Sequence, residues 1–308
     1  SFFEDRYNIG IGMRLSFPEI EIRKNSDGTS HKFLHTEAGD TYRLKSEGNI
    51  DGVITYYPEG QTIKDVAVKE VPDFSNGQPD GTSKYMMKGK DGRKTYFAED
   101  GRILGIVDRY GNTIKFEYIT QSYTIDGKNK TRRLISKITD TVGRVVTLEY
   151  REDYSYTVGS IDSPAYTAED SHKASQNPNN TDSGDLEGKF QVVINLPGGK
   201  QIIYDKTAVL VSDSNHVIRT RLQRVYDVDG KPKYHYWYEQ PSLGFTYANG
   251  TTYSAYNRYE NLIQIDCCKT NMIKRYIYNT YAKELNEGSM QYRKIFESRV
   301  LAKTGFDG

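Results

Sequence analysis

The chain has 308 residues, and its 42 Lys+Arg stand against 41 Asp+Glu for a formal net charge of +1. That balance argues against a nucleic-acid binder working through bulk charge, and no apolar run approaches the roughly 18 residues of a membrane span. The unusual quantity is tyrosine: 26 Tyr beside 27 Gly and only 9 Pro, at a mean hydropathy of −0.73. Tyr, Val, Ile and Thr suit a half-buried pleated surface, so the composition reads as sheet with one wet face.

The chain opens on Ser1-Phe2-Phe3 without Met or a cleavable signal peptide, which points to an excised or processed piece. His31 and His35 follow, with Glu37 and Asp40 nearby. On a strand the two imidazoles stand about 13 Å apart, too far for one metal, and are expected as polar residues of a solvent face. Residues 60–84 carry Pro72 and Pro79 and little pattern, and read as a loop-like insertion.

Asp-Gly or Asn-Gly punctuates the chain, at Asp27-Gly28, Asp91-Gly92, Asp100-Gly101 and Asp229-Gly230 among others. These dipeptides tolerate positive φ at both central positions, which predicts type I′ hairpins. Between them the residues alternate. Ile114-Lys115-Phe116-Glu117-Tyr118 sets apolar rings on one face and charges on the other, and Val146-Thr147-Leu148-Glu149-Tyr150 repeats it. A period of two describes strands buried on one face.

A longer unit contains both segments. Arg102 to Tyr118 aligns with Leu134 to Tyr150, matching Asp108 to Asp140, Gly111 to Gly143 and Tyr118 to Tyr150. A looser copy runs from Leu222 to Tyr238 through Tyr226 and Asp227. The unit is strand, Asp-x-x-Gly turn, strand ending in Tyr. The Asp accepts backbone N–H groups of its own turn, and the Tyr is expected to stack on a cross-strand neighbour for roughly 0.2–1 kcal/mol. Such units laid side by side predict an all-β fold, a long, curved, mostly antiparallel meander forming one region over residues 1–308.

The basic run Lys128 to Arg133 reads as a solvated loop. Residues 160–188, rich in Ser, Asn, Asp and Thr, read as a second loop-like insertion. Phe190 to Leu196 and Lys200 to Tyr204 flank Pro197-Gly198-Gly199 as a hairpin, and a further hairpin from Arg275–Glu284 and Ser289–Val300 is preferred over a helix, although Tyr292, Ile295, Phe296, Arg299 and Val300 sit at helical spacing. Cys267 and Cys268, the two cysteines, read as free thiols.

Tyr234, Tyr236, Trp237 and Tyr238, with Tyr247, Tyr253, Tyr256 and Tyr259 beyond them, are a candidate stacking platform for sugar rings. Asp227-Val228-Asp229-Gly230 has a calcium-loop flavour but lacks the later oxygen ligands of one, and reads as a turn. Carboxylate pairs such as Glu99-Asp100 follow from acid content, and nothing singles out one pair for catalysis. No catalytic residue, cofactor or metal site is expected.

The Gly101–Tyr118 unit and its copy ending at Tyr150 resemble the YD-repeat, or RHS-repeat, family, as does the opening Gly10-Ile11-Gly12-Met13-Arg14-Leu15-Ser16-Phe17-Pro18. The resemblance implies a bacterial protein, secreted or on the cell surface or wall, whose YD-repeat hairpins spiral into a hollow β-shell. It implies a non-enzymatic scaffold segment, partnered by the rest of a larger polypeptide and an enclosed, toxin-like C-terminal cargo. The family's self-cleaving, proline-containing aspartate motif is not found in this sequence. The second reading is a cell-surface module binding wall glycan through the Tyr/Trp face. Terminal strands of an isolated segment are open edges, so self-association is also expected.

Overall fold

The structure, a computed structural model, describes residues 7–10, 13–50, 52–60, 66–125, 128–152, 190–210, 218–239, 242–246, 252–256, 261–270, 272–285 and 293–306. It is all-β. The strands are β1 Glu19–Lys24, β2 Ser30–His35, β3 Thr41–Ile50, β4 Val53–Pro58, β5 Ala67–Glu70, β6 Tyr85–Lys88, β7 Lys94–Phe97, β8 Ile103–Val107, β9 Thr113–Ile125, β10 Lys128–Thr139, β11 Val145–Glu152, β12 Phe190–Asn195, β13 Gln201–Leu210, β14 Ile218–Tyr226, β15 Pro232–Glu239, β16 Ser242–Thr246, β17 Thr252–Tyr256, β18 Asn261–Cys267, β19 Met272–Leu285 and β20 Arg293–Phe306.

Eighteen of them form one sheet, and β16 and β17 form a separate hairpin. Each strand from β1 to β14 pairs antiparallel with the next. β15 then skips the small hairpin to pair with β18, and β18, β19 and β20 continue in order. The result is an antiparallel meander, with β19–β20 the expected C-terminal hairpin.

The sheet curls. Ile20 of β1 donates its N–H to Gly101 at 3.0 Å, just before β8, and Arg93 beyond β6 meets Glu37 beyond β2 at 3.0 Å. The inner face carries one apolar cluster that runs from Ile20 through Leu34, Val68, Phe97 and Phe116 to Leu148 and Val192. Tyr7, Ile9, Met13, Leu15 and Phe17 pack on this inner face, where Phe17 meets Phe116 edge-on at 4.9 Å.

Three expectations are corrected. First, the turns are not type I′: among the described residues Asn8 is the one non-glycine at positive φ. Seven hairpins instead share a five-residue loop, at 25–29, 36–40, 89–93, 98–102, 108–112, 140–144 and 227–231. In each, residue 1 donates to the carbonyl of residue 5, and residue 4, a Gly at positive φ, donates back to residue 1. This is the three-residue hairpin closed by a glycine bulge. Asp caps it in two ways. Asp108, Asp140 and Asp227 sit at position 1 and accept N–H groups from positions 3 and 5. Asp27, Asp91 and Asp100 sit at position 3 and accept from position 5 alone.

Second, the stretch 60–84 contains β5, paired on both sides. Third, the basic run at 128–133 is strand, not loop: β10 pairs with β9 along its length. Arg132 is therefore carried to the inner side and Arg133 is left half exposed. The expected insertion at 160–188 lies outside the described residues.

Candidate functional site: the inner face and its repeated tyrosine

The three repeat units share one backbone irregularity. Register skips Leu104 between β8 and β7, Ser136 between β10 and β9, and Gln223 between β14 and β13. Each skipped residue lies four before the turn Asp. Such a bulge bends its strand and adds twist. The ladder between the two strands of each unit then stops one residue later, at Gly105, Lys137 and Arg224.

The tyrosine closes that gap. Tyr118 Oη donates to the carbonyl of Ile103 at 2.6 Å, Tyr150 Oη to Ile135 at 2.7 Å, and Tyr238 Oη to Leu222 at 2.6 Å. All three acceptors lie five residues before the turn Asp. The hydroxyl brace is a role of the Tyr beyond the cross-strand packing expected of its ring. A guanidinium covers the ring in two units: Arg102 lies 5.3 Å above Tyr118, and Arg221 lies 4.9 Å above Tyr238. Both arginines stand six before their Asp, where the second unit has Leu134. Burial drives the Tyr118 phenol well above its ordinary pKa, with the Arg102 charge opposing.

The third copy looks loose because it carries one extra residue. Val225 faces Tyr234 while Tyr226 faces Pro232, so register skips Lys233 and Tyr238 falls eleven rather than ten residues after its Asp. Tyr226 itself closes β14 opposite Ile203 and takes no part in the brace.

A fourth unit is visible in the backbone alone. Register skips Ile263 in β18, and the β18–β19 ladder stops at Gln264. Those are the positions four and three before Cys267, which stands in the place of Asp. Its thiol is drawn below the usual range by the Thr270 hydroxyl, against burial, with help from the N–H groups of Thr270 and Lys269. Both cysteines are free thiols.

A cavity of about 290 Å³ opens between the first two units, lined by Tyr118, Tyr150, Arg102, Arg132, Tyr7 and Phe17 among others. The charges at its margin are compensated. Arg132 meets Glu152 at 3.0 Å with both side chains nine-tenths buried, and Gln121 bridges the same two residues. Asp80 takes Arg102 at 3.0 Å and Arg133 at 2.7 Å.

The turn carboxylates are stabilised as anions. Asp108 is lowered chiefly by Asn112, and Asp227 chiefly by Lys269. Burial pushes Asp140 up, but the Arg144 side chain and N–H together hold it below its ordinary value. Asp227 thus acts as a turn cap with an ion-pair partner. Among the described residues no group of three or more His, Cys, Asp or Glu is placed to hold a metal ion. His31 is hydrogen-bonded by Arg43 at 3.0 Å, and half-buried His35 lies 2.9 Å from Glu21.

The aromatic run does not form one platform. Alternation along β15 sets Tyr234, Tyr236 and Tyr238 on one face and His235 and Trp237 on the other. Tyr238 is buried and the other four are half-buried. The Trp237 indole N–H donates to Asp266 at 2.6 Å, and its ring lies 4.2 Å from His235. Tyr247 and Tyr259 lie outside the described residues.

Compared with known proteins, the chain matches no protein-family model and no curated protein.

Proposed function

We propose that this chain is a non-enzymatic wall segment of a β-shell, part of a larger bacterial protein of the YD-repeat type that is secreted or held at the cell surface. The recurring Tyr-braced bulge carries the reading. Three units carry this braced bulge at the same position, and a bulge bends its strand, so adding units would lengthen a curved wall instead of building a separate domain. A wall of paired strands offers few open edges and excludes large molecules from its inner side. Its activity is enclosure of a cargo polypeptide.

The disposition of the acids supports enclosure over catalysis. Glu21 is tied to Arg23 and His35, Glu152 to Arg132, and Asp227 to Lys269. The rival reading, a wall-glycan module on Tyr234, Tyr236, Trp237 and Tyr238, loses its shared face because Trp237 stands opposite the tyrosines.

The test is the coding sequence that flanks this chain and the protease resistance of its full product. Further Asp-x-x-Gly…Tyr units, with a distal segment that resists proteinase K until the shell is denatured, are expected. A flank without such units, or a distal segment digested as fast as when expressed alone, contradicts the proposal. Glycan binding abolished by Trp237→Ala would favour the rival.

A further inference from the structure

Lys206 is an anomaly of the inner face. It lies in the cross-strand row Phe190, Lys206, Leu222 and is 0% exposed. Burying an ammonium among apolar groups is costly unless oxygen atoms replace its water. Two such oxygens come from Asn8. Lys206 Nζ donates to the Asn8 carbonyl at 2.9 Å and also to the Asn8 side-chain oxygen. The other half of that amide, Asn8 Nδ2, donates to Gln121 Oε1 at 3.2 Å. Both hydrogen-bonding ends of one amide are therefore read, one by β13 and one by β9.

The next two residues are fitted as closely. Ile9 is 3% exposed. Gly10 adopts φ +126°, and a Cβ there would fall 2.5 Å from the Leu222 nitrogen and 3.0 Å from the Arg221 carbonyl carbon. No side chain fits at this point, for want of both space and backbone freedom. Further on, Arg14 bonds the Thr36 carbonyl at 2.8 Å, and Met13, Leu15 and Phe17 pack against the inner cluster.

We propose that the inner face of β9, β13 and β14 is a peptide-recognition site specific for Asn, an apolar residue and Gly in succession, and that the chain's own Tyr7–Gly10 segment occupies it as an exchangeable strap. Lys206 and Gln121 select the amide, a closed slot takes the apolar side chain, and the backbone of Arg221 and Leu222 admits only Gly. The site stands on these contacts whatever the wall encloses.

The test is acylation of Lys206 by an amine-reactive ester, read by mass spectrometry on the full chain. In wild type Lys206 stays unlabelled. Gly10→Ala expels the strap, and Lys206 becomes labelled while the β circular-dichroism signal is kept. Adding the free peptide Tyr7–Pro18 restores protection, and the same peptide carrying Asn8→Ala does not. Lys206 unlabelled in Gly10→Ala, or labelled equally with and without the wild-type peptide, overturns the proposal, as does equal protection by both peptides. If Gly10→Ala loses its β signal, Lys206→Met takes its place, with trypsin cleavage after Arg14 as the readout. Faster cleavage than in wild type supports an exchangeable strap. Unchanged cleavage, or loss of the β signal here too, overturns it.

Discussion

The Tyr118 hydroxyl donates to the Ile103 carbonyl at 2.6 Å, immediately before the register skips Leu104. The bond turns a place where two strands part into a fixed bend. Tyr118→Phe keeps the ring under Arg102 and removes only the donor. The acceptor is left without it, which costs about 1–3 kcal/mol for a buried group. Tyr150→Phe is expected to behave alike. Urea unfolding of each variant measures the loss; stability equal to wild type in both would contradict the brace.

Gly101 and Gly111 separate two glycine effects. Both have positive φ, +86° and +90°, but a Cβ on Gly101 would lie 1.7 Å from the Ile20 carbonyl oxygen, whereas nothing lies within 4 Å of one on Gly111. Gly111→Ala should cost only the left-handed backbone strain, about 1–2 kcal/mol. Gly101→Ala should cost more, because it also pushes β1 away and opens the curl. Thermal denaturation of the pair ranks them, and equal losses would deny the β1 closure.

His235 supplies a pH dependence with a definite sign. Burial, with the nearby Arg224 charge adding to it and Asp266 opposing, lowers its pKa from 6.5 to about 4. The folded protein thus resists a proton that the unfolded chain accepts. This contribution to stability is complete above pH 6.5 and is lost as pH falls from 6.5 towards about 4. Trp237, the single Trp of the chain, touches this imidazole at 4.2 Å. Its fluorescence should change with a midpoint near 4, and His235→Phe should remove that change. A midpoint near 6.5 would mean that the ring is solvated.

What the sequence disclosed and what it hid follow from range. Asp-x-x-Gly and the alternation of Val146 to Tyr150 act within a few residues, so the turns and strands at 108–118 and 140–150 were legible. The turn type was misjudged because Asp-Gly marks positions 3 and 4 of the five-residue loop rather than the centre of a two-residue one. The fourth unit was hidden because Cys267 replaces the Asp, and only the register shift at Ile263 reveals it. Arg132 was misplaced because a strand buries alternate residues of a basic run as readily as of any other. Lys206 meets Asn8 across 198 positions, a separation over which no local pattern speaks.

The two ends of the sheet differ. β1 has six residues, and its Ile20 N–H is taken by Gly101. β20 has fourteen residues and, among the described residues, is paired to β19 alone. A long edge recruits further strands. Sedimentation velocity should show association that grows with concentration, and a sharp monomer boundary at high concentration would count against an open β20 edge.

The tyrosine hydroxyls are expected to hold the bulges that curl the meander. Small-angle scattering of the triple variant Tyr118→Phe, Tyr150→Phe, Tyr238→Phe tests this directly, with circular dichroism to confirm that strands persist. The expected result is a larger radius of gyration at unchanged β content, as the wall relaxes outward. A scattering curve that superimposes on wild type would show that the curl is set without them.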